Sequence, residues 1–144
     1  MFISRALADD VIPLRHAVLR AGLPRHTAIF PGDDALTTRH FVARSEDGAI
    51  VGVATLHLNL WEGEVAWQLR GMAIEPSHQR SGIGDALLRA AEQSALDEDS
   101  PTRLLWCNAR TPAAGFYEKH GWRVMSEPFE VPTAGPHVKM LKRV

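Results

Sequence analysis

The amino-acid sequence predicts an α+β, or mixed α/β, layer fold, and three observations lead there. Apolar runs separated by turn residues fill the first half of the 144 residues. Two closely spaced glycines, Gly82 and Gly84, then open a segment in which Ile83, Leu87, Ala90, Ala91 and Ala95 recur at helical spacing. A further apolar run, a short helix and more strands follow.

Phe2 to Arg5 reads as a short strand. Asp9-Asp10 can cap a helix that carries Val11, Leu14, Val18 and Ala21 on one side and stops at Gly22. Pro13 is tolerable there because it falls in the first turn. Residues 23–38 hold Pro24, Pro31, Gly32 and the pair Asp33-Asp34, and read as loop with one turn of helix. Strands are expected around 39–45, 49–59 and 64–74, with Asp47-Gly48 and Glu62-Gly63 at the turns. Glu75-Pro76-Ser77-His78 forms the turn leaving the third of these.

Beyond the glycine-led helix, Leu104-Leu105-Trp106-Cys107-Asn108 reads as another strand. Thr111 suits an N-cap, Pro112 the first helical position and Gly121 the left-handed position past the end. That helix has barely two turns and needs tertiary packing to persist. A strand near 122–125, a Pro/Gly-bearing stretch over 127–136 and a strand at 138–141 close the chain. No repeat, linker or low-complexity tract interrupts it, so residues 1–144 are expected to form a single domain.

Composition narrows the function classes. Hydrophobic residues make up 45% and charged residues 23%, which argues against disorder. No apolar run approaches the ~20 residues that span a bilayer, and Met1-Phe2-Ile3-Ser4-Arg5 lacks a signal-peptide core. The single cysteine cannot form an internal disulfide, so a cytoplasmic location is expected. A net charge of −1 without a basic block argues against nucleic acid as a partner.

The glycines carry the chemistry. The first turn of a helix has unpaired N–H groups and the positive end of the macrodipole, a site for phosphates. Glycine keeps side chains out of the way of a phosphate pressed against that backbone. A P-loop would need Gly-Lys-Ser/Thr, which does not occur, and a dinucleotide fingerprint would need glycine where Leu87 stands. Gln79-Arg80-Ser81-Gly82-Ile83-Gly84 fits instead the pattern Gln/Arg-x-x-Gly-x-Gly. Here the chain resembles the GNAT (GCN5-related N-acetyltransferase) family, in which this loop cradles the pyrophosphate of acetyl-coenzyme A (acetyl-CoA). Asn108, then Ala113-Ala114-Gly115-Phe116-Tyr117-Glu118-Lys119-His120-Gly121-Trp122, resembles the second GNAT signature. Gly135-Pro136-His137 and Cys107-Asn108-Ala109-Arg110 resemble the small bacterial ElaA-like branch.

The resemblance implies a central mixed, mostly antiparallel sheet of six to seven strands, splayed between the fourth and fifth and flanked by about four helices. It implies acetyl-CoA as cosubstrate, no metal, an amine acceptor and, as in many relatives, a possible homodimer. Cofactor contacts would come from Gln79, Arg80, Ser81, Gly82, Ile83, Gly84 and Asp85, from the backbone of Met72, Ala73 and Ile74, and from Asn108. Asn108 could equally order the loop or cap the adjoining turn, and Gly71 reads as a bulge, a close backbone approach or a packing glycine. Tyr117 matches the family's general acid, with packing on the sheet as its other reading. Cys107 reads as a buried, inert thiol.

The fourth strand supplies no carboxylate base at Trp67-Gln68-Leu69-Arg70, which leaves Glu64, His57, His137 or a water chain. The implied activity is direct acetyl transfer to a primary amine on a small molecule, or on a peptide or protein lysine. The alternative is a catalytically weak acetyl-CoA-binding domain that regulates a partner. Asp33-Asp34 could attract a cationic amine or simply cap a turn. Trp61, Trp67, Trp106 and Trp122 could shape an apolar site or pack the core.

Overall fold

The computed structural model describes residues 1–144. Its elements run β1 (Phe2–Ala6), α1 (Ala8–Leu19), β2 (Arg39–Arg44), β3 (Ile50–Leu58), β4 (Trp67–Ile74), α2 (Ile83–Ser94), β5 (Leu104–Arg110), α3 (Ala114–Lys119), β6 (Arg123–Val124), β7 (Phe129–Val131) and β8 (Gly135–Arg143). Single 3-10 turns lie at Arg25–Ala28, Pro76–His78 and Thr111–Ala113. Eight strands and three α-helices replace the expected six to seven and about four.

The extra strand comes from the Pro/Gly-bearing stretch. Thr133 and Gly135 both take positive φ, 65° and 89°, and fold β7 back on β8 with Phe129 opposite His137. Pro136 fits because it lies past Arg110↔His137, the last pair between β5 and β8, so no β5 partner needs its missing N–H.

Three boundaries shift for identifiable reasons. Helix α1 starts before Asp9, because Asp10 Oδ2 accepts the Leu7 N–H at 3.0 Å from the third helical position. It ends at Leu19, short of Ala21. Thr111 does not cap a helix; it begins the 3-10 turn itself, and α-geometry sets in at Ala114. Gly121 does take the expected left-handed conformation, φ 87°.

The sheet order is β1-β2-β3-β4-β5-β8-β6, with β7 also on β8. Every pair is antiparallel except β4–β5. Those two pair in parallel only at Trp67↔Leu105 and Gln68↔Trp106, then part. The predicted splay is therefore present, and β4 runs on to Ile74 with no strand on its β5 side.

Helices cover both faces. Leu87, Leu88 and Ala91 of α2 pack with Phe41, Leu56, Leu69, Tyr117 and Trp122 in the larger core. Burying each leucine completely stabilises by roughly 1.5–3 kcal/mol. Helix α1 covers the opposite face, where Val11 and Ile12 meet Val42, Val53 and Ala73. Gly52 lets α2 sit directly on β3: a Cβ there would fall 2.6 Å from Ile83 Cγ2 and 3.0 Å from Leu87 Cδ1.

Candidate active site

The divergence of β4 and β5 opens a cleft of about 550 Å³. Gln68 to Ile74 of β4 and Cys107 to Arg110 of β5 form its two walls. Phe30 and the end of α1 close one side, and Tyr117 and His137 the other. Met72, Ala73 and Ile74 all line it, along the edge that lacks a strand partner.

One end of the cleft meets the glycine loop. Gln79 lines it and reaches the Ile74 carbonyl through Nε2 at 3.3 Å. Arg80 and Gly82 adopt left-handed φ of 64° and 85°, which turns the chain into α2. Glu75 accepts hydrogen bonds from the N–H and hydroxyl of Ser77, and the Ser81 hydroxyl donates to the His78 carbonyl, so the turn is tied to itself. No side chain caps α2: its N-cap is Gly82, and the first intrahelical bond is Ala86 N–H to Gly82 O. The N–H groups of Ile83, Gly84 and Asp85 are left free for an anion. A side chain at Gly84 would meet only the Phe116 ring at 3.6 Å, so that glycine leaves the approach open rather than avoiding a clash.

The Asp85 carboxylate points elsewhere. It accepts from His120 Nε2 at 2.7 Å, a bond that holds its pKa below the usual carboxylate range and ties α2 to the end of α3. Any contact from Asp85 to a phosphate is thereby left to its backbone N–H.

The middle of β4 is bulged. Thr55 pairs with Arg70 but Val53 pairs with Ala73, so β4 carries one residue more than β3 across this interval. Gly71 absorbs it at φ 63°. The bulge and packing readings of Gly71 hold: a Cβ there would lie 2.8 Å from Arg15 Nε and 3.3 Å from Phe30, side chains packed against it.

Arg15 belongs to a buried network that sequence reasoning missed. Its side chain is 0% exposed and donates to Asp33 Oδ2 at 2.6 Å, Thr55 Oγ1 at 2.9 Å and Ala28 O at 2.8 Å. His40 bonds Thr55 Oγ1 at 2.8 Å and the Asp33 carbonyl at 2.7 Å. Arg70 adds a bond to Asp33 Oδ1 at 3.3 Å. Asp33 is therefore 5% exposed and already neutralised, which corrects the idea that it draws in a cationic amine. Burial alone would raise its pKa; the bonds from Arg15 and the Phe30 N–H, with the nearby guanidinium charges, outweigh burial and leave it lowered. The available signal was Arg15 itself, a charge between Val11 and Val18 on the apolar stripe of α1.

The remaining candidates separate by position. Tyr117 is 8% exposed, lines the cleft, and packs against Phe116 at 5.1 Å and Trp122 at 5.5 Å. Burial, then the nearby Cys107, pushes its phenol well above the usual tyrosine range. Cys107 also lines the cleft, and burial pushes its thiol up to about 12. Asn108 is exposed to the cleft, with Oδ1 accepting from Lys139 Nζ at 3.0 Å.

Of the three possible bases, His137 alone lines the cleft. Its Nδ1–H donates to Gly135 O at 2.8 Å, which leaves Nε2 as the lone-pair nitrogen. Glu64 pairs on the surface with Arg143 at 2.9 Å. His57 Nε2 donates to Gln68 Oε1 at 2.9 Å, behind the cleft wall. None of the four tryptophans lines the cleft; Trp67 and Trp122 are fully buried and Trp61 packs on Trp106 at 5.6 Å.

An uncapped glycine-led helix beside a splayed, bulged sheet is the arrangement that the GNAT resemblance implies, and comparison with known proteins agrees. Residues 37–124 match the family described as the acetyltransferase (GNAT) domain. The chain is 30% identical over 137 residues to the uncharacterized N-acetyltransferase YitI of Bacillus subtilis, covering 93% of this chain and 90% of that one. Its fold superimposes on Escherichia coli ElaA with a TM-score of 0.80 at 16% identity, over 99% of this chain and 100% of that one. An aminoglycoside 6'-N-acetyltransferase solved with coenzyme A superimposes with a TM-score of 0.76 at 15% identity, over 99% and 97% of the two chains. The chain belongs to the GNAT family of N-acetyltransferases.

Proposed function

We propose that the protein transfers the acetyl group of acetyl-CoA directly to a primary amine, on a small molecule or on a peptide or protein lysine, with Tyr117 as general acid. The observation that carries this is a cleft that runs from Gln79, three residues before the uncapped start of α2, along the unpaired edge of β4 to a phenol held in its protonated form. The pyrophosphate would take the N–H groups of residues 82–85, and the pantetheine arm would pair with Met72 to Ile74.

A lysine-like ammonium must lose its proton before it attacks, which costs about 4–5 kcal/mol at pH 7. His137 Nε2 is the acceptor on the cleft wall for that proton. The amine nitrogen then bonds to the thioester carbon, the C–S bond breaks, and coenzyme A leaves as a thiolate that takes the Tyr117 proton. The second proton shed by the nitrogen as it becomes an amide restores the Tyr117 phenol. In water a thiolate, pKa ~8.5, is too weak a base to take a phenolic proton. Burial raises both acids on the cleft wall, the Cys107 thiol to about 12 and the Tyr117 phenol further, so donation from Tyr117 has to accompany C–S cleavage, as charge develops on the leaving sulfur. A His137→Gln variant that keeps its full kcat at pH 7 would remove the role given to that residue.

Titration calorimetry with acetyl-CoA tests the cofactor site. Wild-type protein should bind at micromolar concentration, and a folded Gly82→Asp/Gly84→Asp variant, with charge and bulk in the phosphate cradle, should not. Failure of the wild type to bind would sink the reading. Binding without turnover on any amine would favour the regulatory alternative, which the absence of a carboxylate on β4 also supports.

A further inference from the structure

The cleft wall beside α1 holds more positive charge than its one carboxylate neutralises. Arg20, Arg70 and Arg110 line the cleft, and no aspartate or glutamate does. Three guanidiniums surround the Phe30 ring: Arg15 at 4.0 Å, Arg20 at 5.3 Å and Arg70 at 5.4 Å from its centroid. Asp33 is the carboxylate among them, bonded to Arg15 and Arg70. Arg20 donates only to the Leu19 carbonyl at the end of its own helix, at 3.0 Å.

Arg70 is not an ordinary surface cation. Its side chain is 13% exposed, and Nη2 is committed to Asp33 and the Pro31 carbonyl. Nε, like that of Arg15, is buried with no hydrogen-bond partner, which leaves Nη1 as the uncommitted donor group of Arg70. Burial also lowers the Arg70 pKa, the mark of a charge held out of water.

We propose that the acetyl acceptor is an amine carrying an anionic group, carboxylate or phosphate, on the same molecule, and that Arg20 and Arg70 beside Phe30 bind that group. The proposal rests on the acetyl-transfer reading and names the acceptor of that same site. Val18, Leu19 and Phe30 would pack against the carbon skeleton between amine and anion. The coenzyme's own phosphates do not account for these charges. Arg70 precedes the bulge, whereas the glycine loop is bonded at Ile74, four residues or about 13 Å further along β4. Polycationic amines would meet like charges here and are poor acceptors on this reading.

Two matched pairs of product analogues test it without knowing the substrate: N-acetylleucine against N-acetylleucinamide, and N-acetylglucosamine 6-phosphate against N-acetylglucosamine. Each is titrated into protein already saturated with coenzyme A. In at least one pair the anion should bind about 10- to 100-fold tighter, as expected for charge-assisted bonds to guanidinium. The pair that responds tells carboxylate from phosphate. In Arg20→Gln/Arg70→Gln the preference should fall to within about twofold at unchanged coenzyme affinity. Because Arg70 also bonds the Phe30 loop, Arg20→Gln alone is the control: it should weaken the anion several-fold with no change in Tm. If the anion binds no tighter in either pair, or the preference survives the double variant, the proposal is overturned. A wild type that does not bind coenzyme A in the first titration fails the function reading instead, and is recognised before any analogue is added.

Discussion

Replacing Asp33 with asparagine removes one charge and keeps the side-chain shape, so its effect can be worked out from four hydrogen bonds. Oδ2 accepts from Arg15 Nη1 at 2.6 Å and from the Phe30 N–H at 2.7 Å; Oδ1 accepts from Arg15 Nη2 at 3.2 Å and Arg70 Nη2 at 3.3 Å. Asparagine offers one oxygen and turns the other position into an NH2 facing a donor. Arg15, 0% exposed, is left with an uncompensated charge. Removing one member of a buried pair costs about 3–5 kcal/mol, or a Tm loss of about 10–16 °C for a domain of this size. Urea and thermal denaturation at pH 7 measure it; a loss below about 1 kcal/mol would refute the claim that this pair holds the Phe30 loop in place. The pH dependence is a second check. A carboxylate whose folded pKa is lowered contributes stability above its unfolded pKa, ~3.9, and loses it as pH falls through the folded value. The difference between wild type and Asp33→Asn should therefore be flat from pH 8 to pH 5 and shrink only below about pH 4.

Further substitutions address the chemistry and the frame. Tyr117→Phe should lower kcat about 100-fold or more while acetyl-CoA affinity in calorimetry and Tm stay near wild type, because no protein group bonds the hydroxyl; unchanged kcat would defeat the acid role. Gly52→Ala forces a methyl against Ile83 and Leu87, so it should cost about 1–3 kcal/mol in urea unfolding and weaken acetyl-CoA by shifting the start of α2; an acetyl-CoA Kd equal to wild type would show that the helix start tolerates the push. Cys107 should resist thiol reagents at pH 8 in the folded protein and react once unfolded, and Cys107→Ser should keep turnover. Rapid labelling of the native thiol would contradict its burial.

The glycine loop and the strand–turn–helix around Tyr117 were legible in the sequence because each is local. A left-handed backbone position favours glycine, and Gly71, Gly82 and Gly121 adopt positive φ. The splay was legible only through family resemblance, since a missing strand partner leaves no trace in side chains. The Arg15–Asp33–Thr55–His40 network was hidden because its members come from α1, the following loop, β3 and β2, and no spacing rule connects them. Strand β7 was hidden by Pro132, Gly135 and Pro136, which argue for loop until β8 supplies the partner.

These two groups of features depend on each other. A bulge at positive φ, a strand edge without a neighbour and a helix start without a cap each withhold stability locally; the first two line the cleft and the third follows Gln79 at its end. The network lies directly behind the bulge, with Arg15 Nε where a side chain at Gly71 would be. The Asp33 carboxylate joins α1 and the Phe30 loop to β4, while the Asp33 main-chain carbonyl and Arg15 extend the network to His40 of β2 and Thr55 of β3. The arginines that compensate for the bulge from behind are the same cluster that charges the cleft in front. Acceptor preference and stability should then vary together when Arg70 is changed, and separately when Arg20 is.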